Sequence, residues 1–382
     1  MDCVILLLES QRVEVIHTMG PQNRVLDEVM KNNKLANDTV AKSAKPLNLG
    51  LQGGGAHGAF TWGVLDRLLE DGRLRFDGVS GASSGAMNAV ALAHGWTAGG
   101  PDGARETLHK LWTSLARTTT PFSTFAKLYD LRSGGRRKSD KSPTLKIMMN
   151  LGRFLSPYEF NPLRLNPTRA ILTDLIDFER LQSECKLKLF IAATNVRTGK
   201  LKLFGNGELS VDSVLASACL PAMHHAIKID GETYWDGGYS GNPAVFPLIE
   251  QCPTKDVLIV LLHPLCCPDV PSKTADIISR TAELSFGSTF LREMAWIARV
   301  KDLLEQQPDS AVRDTFPMQK FKVHLIDSEE FADLDVDSKA NNERAFLLEL
   351  RDMGRERAGV WLEENFSKVG RRSSVDIQKL FG

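Results

Sequence analysis

The apolar positions of the chain change period several times, and the changes mark out its elements. Leu47, Leu49 and Leu51 alternate with polar or small residues, the pattern of a short strand. From Ala59 to Glu70 the period is helical, with Val64, Leu65 and Leu68 on one face and Asp66, Arg67 and Glu70 on the other. Gly72 stands where a helix C-cap glycine belongs. Gly78–Ser80 reads as a second strand and Ala86–His94 as a second helix. Strand, Gly-rich turn, helix, strand, sharp turn, helix is a βαβα unit, and such a unit implies a parallel sheet.

Beyond it the pattern predicts helices near Arg105–Arg117 and Pro167–Asp177, then strands at Leu187–Asn195 and Lys200–Phe204. A helix over Val211–Ala218 ends before Pro221. Ala226–Ile229 and Glu232–Trp235 form a hairpin through Asp230-Gly231, the dipeptide favoured in a type I′ turn. A short helix at Ala244–Glu250, a buried-type strand at Val257–Leu262 and a strand at Phe321–Ile326 follow. The part from 270 to 382 is otherwise helical, and its last helix, near Glu343–Phe366, is expected to be interrupted by Gly354 and Gly359. Gly20 to Ser43 is polar and weakly periodic, with a loose helix expected around Val25–Met30. The expected organisation is a partly flexible N-terminal extension, 1–45, and one domain over 46–382.

Composition narrows the class. The 382 residues carry 47 Lys+Arg against 47 Asp+Glu, so no whole-surface charge draws the protein to nucleic acid, and no such partner is expected. Hydrophobic residues make up 42%, charged 25% and aromatic 7%, which excludes disordered and collagen-like chains. No apolar run approaches the roughly 18 residues of a membrane-crossing helix. The N-terminal apolar run, Val4 to Leu8, is too short for a secretory signal and lacks a basic flank. Six cysteines without CxxC spacing suggest reduced core thiols in a cytoplasmic setting, and no zinc ligand set is present.

Two turns carry candidate chemistry. Gly81-Ala82-Ser83-Ser84-Gly85 joins a strand to a helix in a turn so sharp that only small neighbours fit, which presents Ser83 at the carboxyl edge of the sheet. Gly53-Gly54-Gly55-Ala56-His57-Gly58 also follows a strand and opens a helix. It fits a dinucleotide fingerprint, but Asp77 precedes the second strand and so lies at the wrong end to bind a ribose. It fits an oxyanion hole better, because parallel strands bring this loop and Ser83 to one edge. A serine nucleophile needs a base. His57, His224 and His225 carry no mark of that role, while an α/β-hydrolase order would allow His263 or His324. Asp236-Gly237-Gly238 at the end of a strand is the other candidate, although in isolation it reads first as a plain turn.

Taken together, Leu51–Phe60, Gly81–Gly85 and Asp236-Gly237-Gly238, with Ala216–Pro221 as a fourth block, resemble the patatin-like phospholipases, particularly the bacterial ones, over roughly 46–250. The resemblance implies a three-layer α/β/α fold with a mixed, mainly parallel central sheet. It implies a serine lipid acyl hydrolase without metal or organic cofactor, acting on a lipid or other acyl ester. Ser83 would be the nucleophile, Asp236 the proton acceptor of a Ser–Asp dyad, and Gly53, Gly54, Gly55 and Gly58 the oxyanion loop. Gly81, Gly85, Gly237 and Gly238 would shape the two turns. The basic stretch Arg132–Lys141 and the apolar residues up to Leu155 allow either a cap that meets a membrane through 132–155 or a solvated loop and an ordinary helix.

Overall fold

The computed structural model describes residues 44–118, 156–266, 270–307, 315–328, 331 and 336–382. The N-terminal helix expected at Val25–Met30 and the basic-apolar stretch 132–155 lie outside the described residues.

In chain order the main elements are β1 (Lys45–Leu51), α1 (Gly58–Asp71), β2 (Leu74–Gly81), α2 (Ser84–Arg117), α3 (Pro157–Phe160), α4 (Pro167–Leu175) and α5 (Phe178–Glu184). They continue with β3 (Lys188–Asn195), β4 (Leu201–Phe204), α6 (Val211–Ser217), β5 (Ile227–Ile229), β6 (Glu232–Asp236), α7 (Phe246–Gln251) and β7 (Asp256–Val260). The last are α8 (Thr274–Glu305), β8 (Lys322–Ile326), α9 (Arg344–Asn365) and α10 (Ile377–Phe381). The described strands form one eight-stranded sheet. Its centre is parallel (β3-β2-β1-β7-β8), while β4, β5 and β6 run antiparallel to their neighbours.

Period-2 alternation divides the core into two apolar layers. Leu258 and Val260 of β7 face a layer built with α1, α2 and α9, whereas Val257 and Ile259 face a second layer built with α7, α8 and α10. Helices therefore cover both faces, and the protein is a three-layer α/β/α sandwich.

Several elements depart from the expectations. The two helices predicted at Ala86–His94 and Arg105–Arg117 are arms of α2, bent where Gly99 and Gly100 leave helical geometry just before Pro101. β2 starts at Leu74, so Asp77 lies inside the strand, where Arg75 pairs with it at 2.5 Å. Gly354 and Gly359 do not interrupt α9. At Gly354 a Cβ would overlap the main-chain oxygen of Phe60, and at Gly63 one would overlap that of Arg351, so the two glycines let α1 and α9 pack backbone to backbone. Cys219 and Cys252 are buried free thiols, but Cys266 is exposed, because the chain has already left the sheet beyond Val260.

One feature of β3 positions the site. β4 pairs with Ile191–Thr194 and β6 with Ala193–Asn195, so these two strands must occupy opposite edges of β3. β2 pairs with β3 up to Ile191, a residue β4 also pairs, so β2 shares the edge that β6 uses. β2 and β6 thus run toward each other along one edge, ending at Gly81 opposite Ile191 and at Asp236 opposite Ala193. The residues that follow these two ends meet there.

Candidate active site

Ser83 stands at the break between β2 and α2 with φ 54° and ψ −123°, a left-handed conformation that costs a non-glycine residue on the order of 1–3 kcal/mol. The surroundings hold it there. Its N–H donates to the main-chain oxygen of Ser217 at 3.1 Å and to Ser217 Oγ at 3.0 Å. Gly85 N–H closes the turn onto Ala82 O at 2.8 Å. A Cβ on Gly85 would overlap Leu51 O, and one on Gly81 would lie 2.6 Å from Gly85 O, so the spacing of the motif follows from the tightness of the turn.

The Gly-rich turn lies directly against this elbow. A Cβ on Gly53 would stand 2.7 Å from both Ser83 Cβ and Ala82 O, and one on Gly58 would stand 2.6 Å from Ser84 Cβ. The amides of the turn are not equivalent. Gly53 N–H donates to Asn242 Oδ1 at 2.7 Å and Gly54 N–H to Ser84 Oγ at 3.0 Å. Gly58 N–H is taken by Gly55 O and Ala56 O within its own 3-10 turn. The amides of Gly55 and Ser84 make no hydrogen bond to any described residue. Two of the four loop amides expected as oxyanion donors are thus engaged by side chains, and Gly58 serves close packing.

Asp236 is fully buried at the end of β6. Its Oδ1 accepts Gly238 N–H at 2.8 Å, its own N–H donates to Cys219 O at 2.8 Å, and Thr194 Oγ1 donates to its main-chain oxygen at 2.7 Å. Burial pushes the carboxyl up to about 7, against the opposing pull of Gly238 N–H and of the Ser83 side chain. Ser83 is therefore near enough to act on the carboxylate, yet Oδ2 has no partner at regular hydrogen-bond geometry. Gly237 admits Ala192 O, and Gly238 admits the ring of Phe286 from α8, where any Cβ would overlap.

The described histidines have partners or surroundings other than this pair. His324 Nε2 is 3.1 Å from Asp256 Oδ1, at the first residue of β7 and so at the amino end of a parallel strand, opposite to the edge carrying Ser83. His225 Nε2 lies 3.0 Å from Pro157 O and 2.9 Å from Asn161 O. His57 is buried beside Ser338 and is held down to about 3 by burial and then by Lys339, so it is neutral at physiological pH. Burial also lowers His263 well below its ordinary value. Among the described residues no histidine is hydrogen-bonded to Ser83 or Asp236.

A family model described as patatin-like phospholipase matches residues 49–249, just over half of the chain. The chain belongs to the patatin-like phospholipase family. That span contains Ser83, Asp236 and the whole Gly-rich turn of this family member. No curated protein matches its sequence. Among solved structures it is similar to VipD from Legionella pneumophila, with a TM-score of 0.39 and 16% identity over 83% of this chain and 66% of that one. It is also similar to the heterodimeric ExoU–SpcU complex of the Pseudomonas aeruginosa type III secretion system, with a TM-score of 0.33 and 17% identity over 86% of this chain and 53% of that one. The chain thus spans just under two thirds and about half of the lengths of these two proteins.

The supporting polar residues of this patatin-like site, Ser84, Thr194, Ser217 and Asn242, were not singled out from sequence. Asn242 lies 189 positions from the amide it holds, and only the sheet brings the two together. Among the described residues no cluster of His, Cys, Asp or Glu is arranged to hold a metal ion. No described helix is long and apolar enough to cross a membrane.

Proposed function

We propose that this patatin-like protein is a serine lipid acyl hydrolase that works through a Ser83–Asp236 dyad. The observation that supports the reading is the convergence, at one edge of β3, of the fully buried Asp236 carboxyl with a serine held in a strained left-handed elbow. A carboxyl raised to about 7 is a better base than an exposed one and is still substantially ionised near neutral pH.

In the first step Asp236 Oδ2 takes the hydroxyl proton as Ser83 Oγ attacks the ester carbonyl carbon. The carbonyl π pair moves to oxygen, and the resulting anion is met by main-chain N–H groups, with Gly55 and Ser84 as the free donors. Collapse expels the alcohol, which takes the proton from Asp236 and leaves an acyl-serine. In the second step water gives a proton to Asp236 and its oxygen attacks the acyl carbon. Collapse then releases the carboxylic acid and returns the proton to Ser83. The substrate is a lipid acyl ester, and no cofactor enters either step. Peripheral contact of 132–155 with a membrane, and a cytoplasmic place of action, belong to the same proposal.

A fluorophosphonate tests this directly, because it forms a stable tetrahedral adduct on an activated serine with loss of fluoride. The expected result is a single adduct on the peptide carrying Ser83, absent in Ser83→Ala. An adduct on another serine, or none in the presence of lipid vesicles, would overturn the reading.

A further inference from the structure

The cover over the Gly-rich turn comes from the C-terminal third of the chain, outside the span matched by the family model. Gly55 sits at φ 61°, and a Cβ there would overlap the main-chain oxygen of Lys339. Ser338 Oγ lies 2.7 Å from His57 Nε2 in the same turn. The His57 ring packs on Phe331 with centroids 4.6 Å apart, and Phe331 packs on Phe60 of α1 at 5.1 Å. Lys339 Nζ reaches Glu283 Oε1 on α8 at 3.2 Å, and Arg280 pairs with Glu283 at 3.3 Å. One turn further along α8, Phe286 lies on Gly238 and stacks with Tyr239 at 4.6 Å. The short 3-10 segment Val336–Ala340 is therefore clamped between the Gly-rich turn and a helix that also touches the Asp236 turn.

This clamp bears on the one glycine amide of the turn that is left for an oxyanion. Gly53, Gly54 and Gly58 have their N–H groups engaged, and Gly55 does not. A glycine has more backbone freedom than any other residue, so its amide keeps a direction only if neighbours impose it. An oxyanion donor helps only when it already points where the charge will develop. We propose that Ser338, Lys339 and Glu283 are positioning residues that hold the Gly55 peptide in its donating orientation, so that the oxyanion site of this chain is completed by a segment from outside its patatin-matched region. The proposal rests on the acyl-transfer reading of Ser83.

The test uses the full chain with Ser338→Ala, Lys339→Met, Glu283→Gln and Lys339→Arg. Each is measured for fluorophosphonate labelling rate at Ser83, for kcat and KM on a p-nitrophenyl ester, and for melting temperature. Loosening an oxyanion donor whose outright removal costs about 100- to 1000-fold predicts a fall in kcat and labelling rate of about 10- to 100-fold with KM little changed. Lys339→Arg, which keeps the ion pair with Glu283, recovers most of the rate lost in Lys339→Met. Unchanged rates in variants of a wild type that does label at Ser83 would overturn the positioning role and leave the dyad standing. Rates that rise would overturn it as well, by making the segment an obstructing cover. So would a fall in kcat that tracks a lowered melting temperature and is not recovered by arginine. A wild type that never labels at Ser83 would overturn both the dyad and this proposal.

Discussion

Replacing Asp236 with asparagine should remove activity and, at alkaline pH, stabilise the fold. The carboxyl is fully buried and raised from 3.8 to about 7. A carboxyl so raised contributes stability at low pH that is lost as pH climbs toward the folded value, because the unfolded chain then ionises more readily. At about 1.4 kcal/mol per unit, the rise from 3.8 to about 7 costs the folded state on the order of 4 kcal/mol at pH 8 and on the order of 1–2 kcal/mol at pH 5. The substituted asparagine carries no charge, so it escapes that cost. It places an amide N–H₂ where Oδ2 now has no partner, and an unmet buried donor costs about 1–3 kcal/mol. The variant is therefore expected to gain about 1–3 kcal/mol over wild type at pH 8 and to show no gain at pH 5. Denaturant unfolding of both proteins at the two pH values measures the difference, with labelling of Ser83 as the parallel activity readout. Equal destabilisation at both pH values would refute the argument, as would undiminished labelling.

Other consequences can be checked alongside. Glu293 is a second carboxyl, half-buried and raised to about 7 by desolvation, and it caps Val245 and Phe246 N–H. With Asp236 it predicts that melting temperature falls as pH rises from about 4.5 toward about 7, and that Glu293→Gln flattens part of that slope in pH-dependent melts. Gly53→Ala places its Cβ 2.7 Å from Ala82 O and Ser83 Cβ, neither of which can swing aside, so kcat should fall by more than about 100-fold. Gly54→Ala meets Leu262 Cδ1 at 3.0 Å and Leu262 Cβ at 3.1 Å, which a shift of a few tenths of an ångström relieves, and should lose far less in the same assay. Gly354→Ala pushes α9 off α1 at Phe60 O and should destabilise by about 1–3 kcal/mol in denaturant unfolding, with labelling of the folded fraction retained. His324→Ala breaks a pair with Asp256 at the far edge of the sheet, so the labelling rate of folded protein should stay within about threefold of wild type.

What was legible in the sequence follows from how local each constraint is. The Gly81–Gly85 elbow and the opening of α1 could be read because their sterics act within a few residues. A Cβ on Gly81 would lie 2.6 Å from Gly85 O, within the same turn. The meeting of Asp236 with Ser83 could not be derived from spacing, since it depends on β6 and β2 sharing one edge of β3. Asp-Gly-Gly read alone is only a turn, and its family resemblance lent it meaning. Gly354 was expected to interrupt a helix, because propensity is local, whereas its reason is a neighbouring backbone. The engagement of Gly53 and Gly54 by Asn242 and Ser84, and the contact of Lys339 with Gly55, join positions far apart in sequence and had no local signature.

The central claim is that an acyl group passes through Ser83 with Asp236 as the proton carrier. Rapid mixing with an activated acyl ester, acid quench within the first turnover and peptide mass mapping follow that group directly. The account predicts an acyl mass on the Ser83 peptide that forms before free acid accumulates and is missing in Asp236→Asn. Acid released with no acyl-serine at any time, or an acyl-serine that forms equally fast without Asp236, would contradict it.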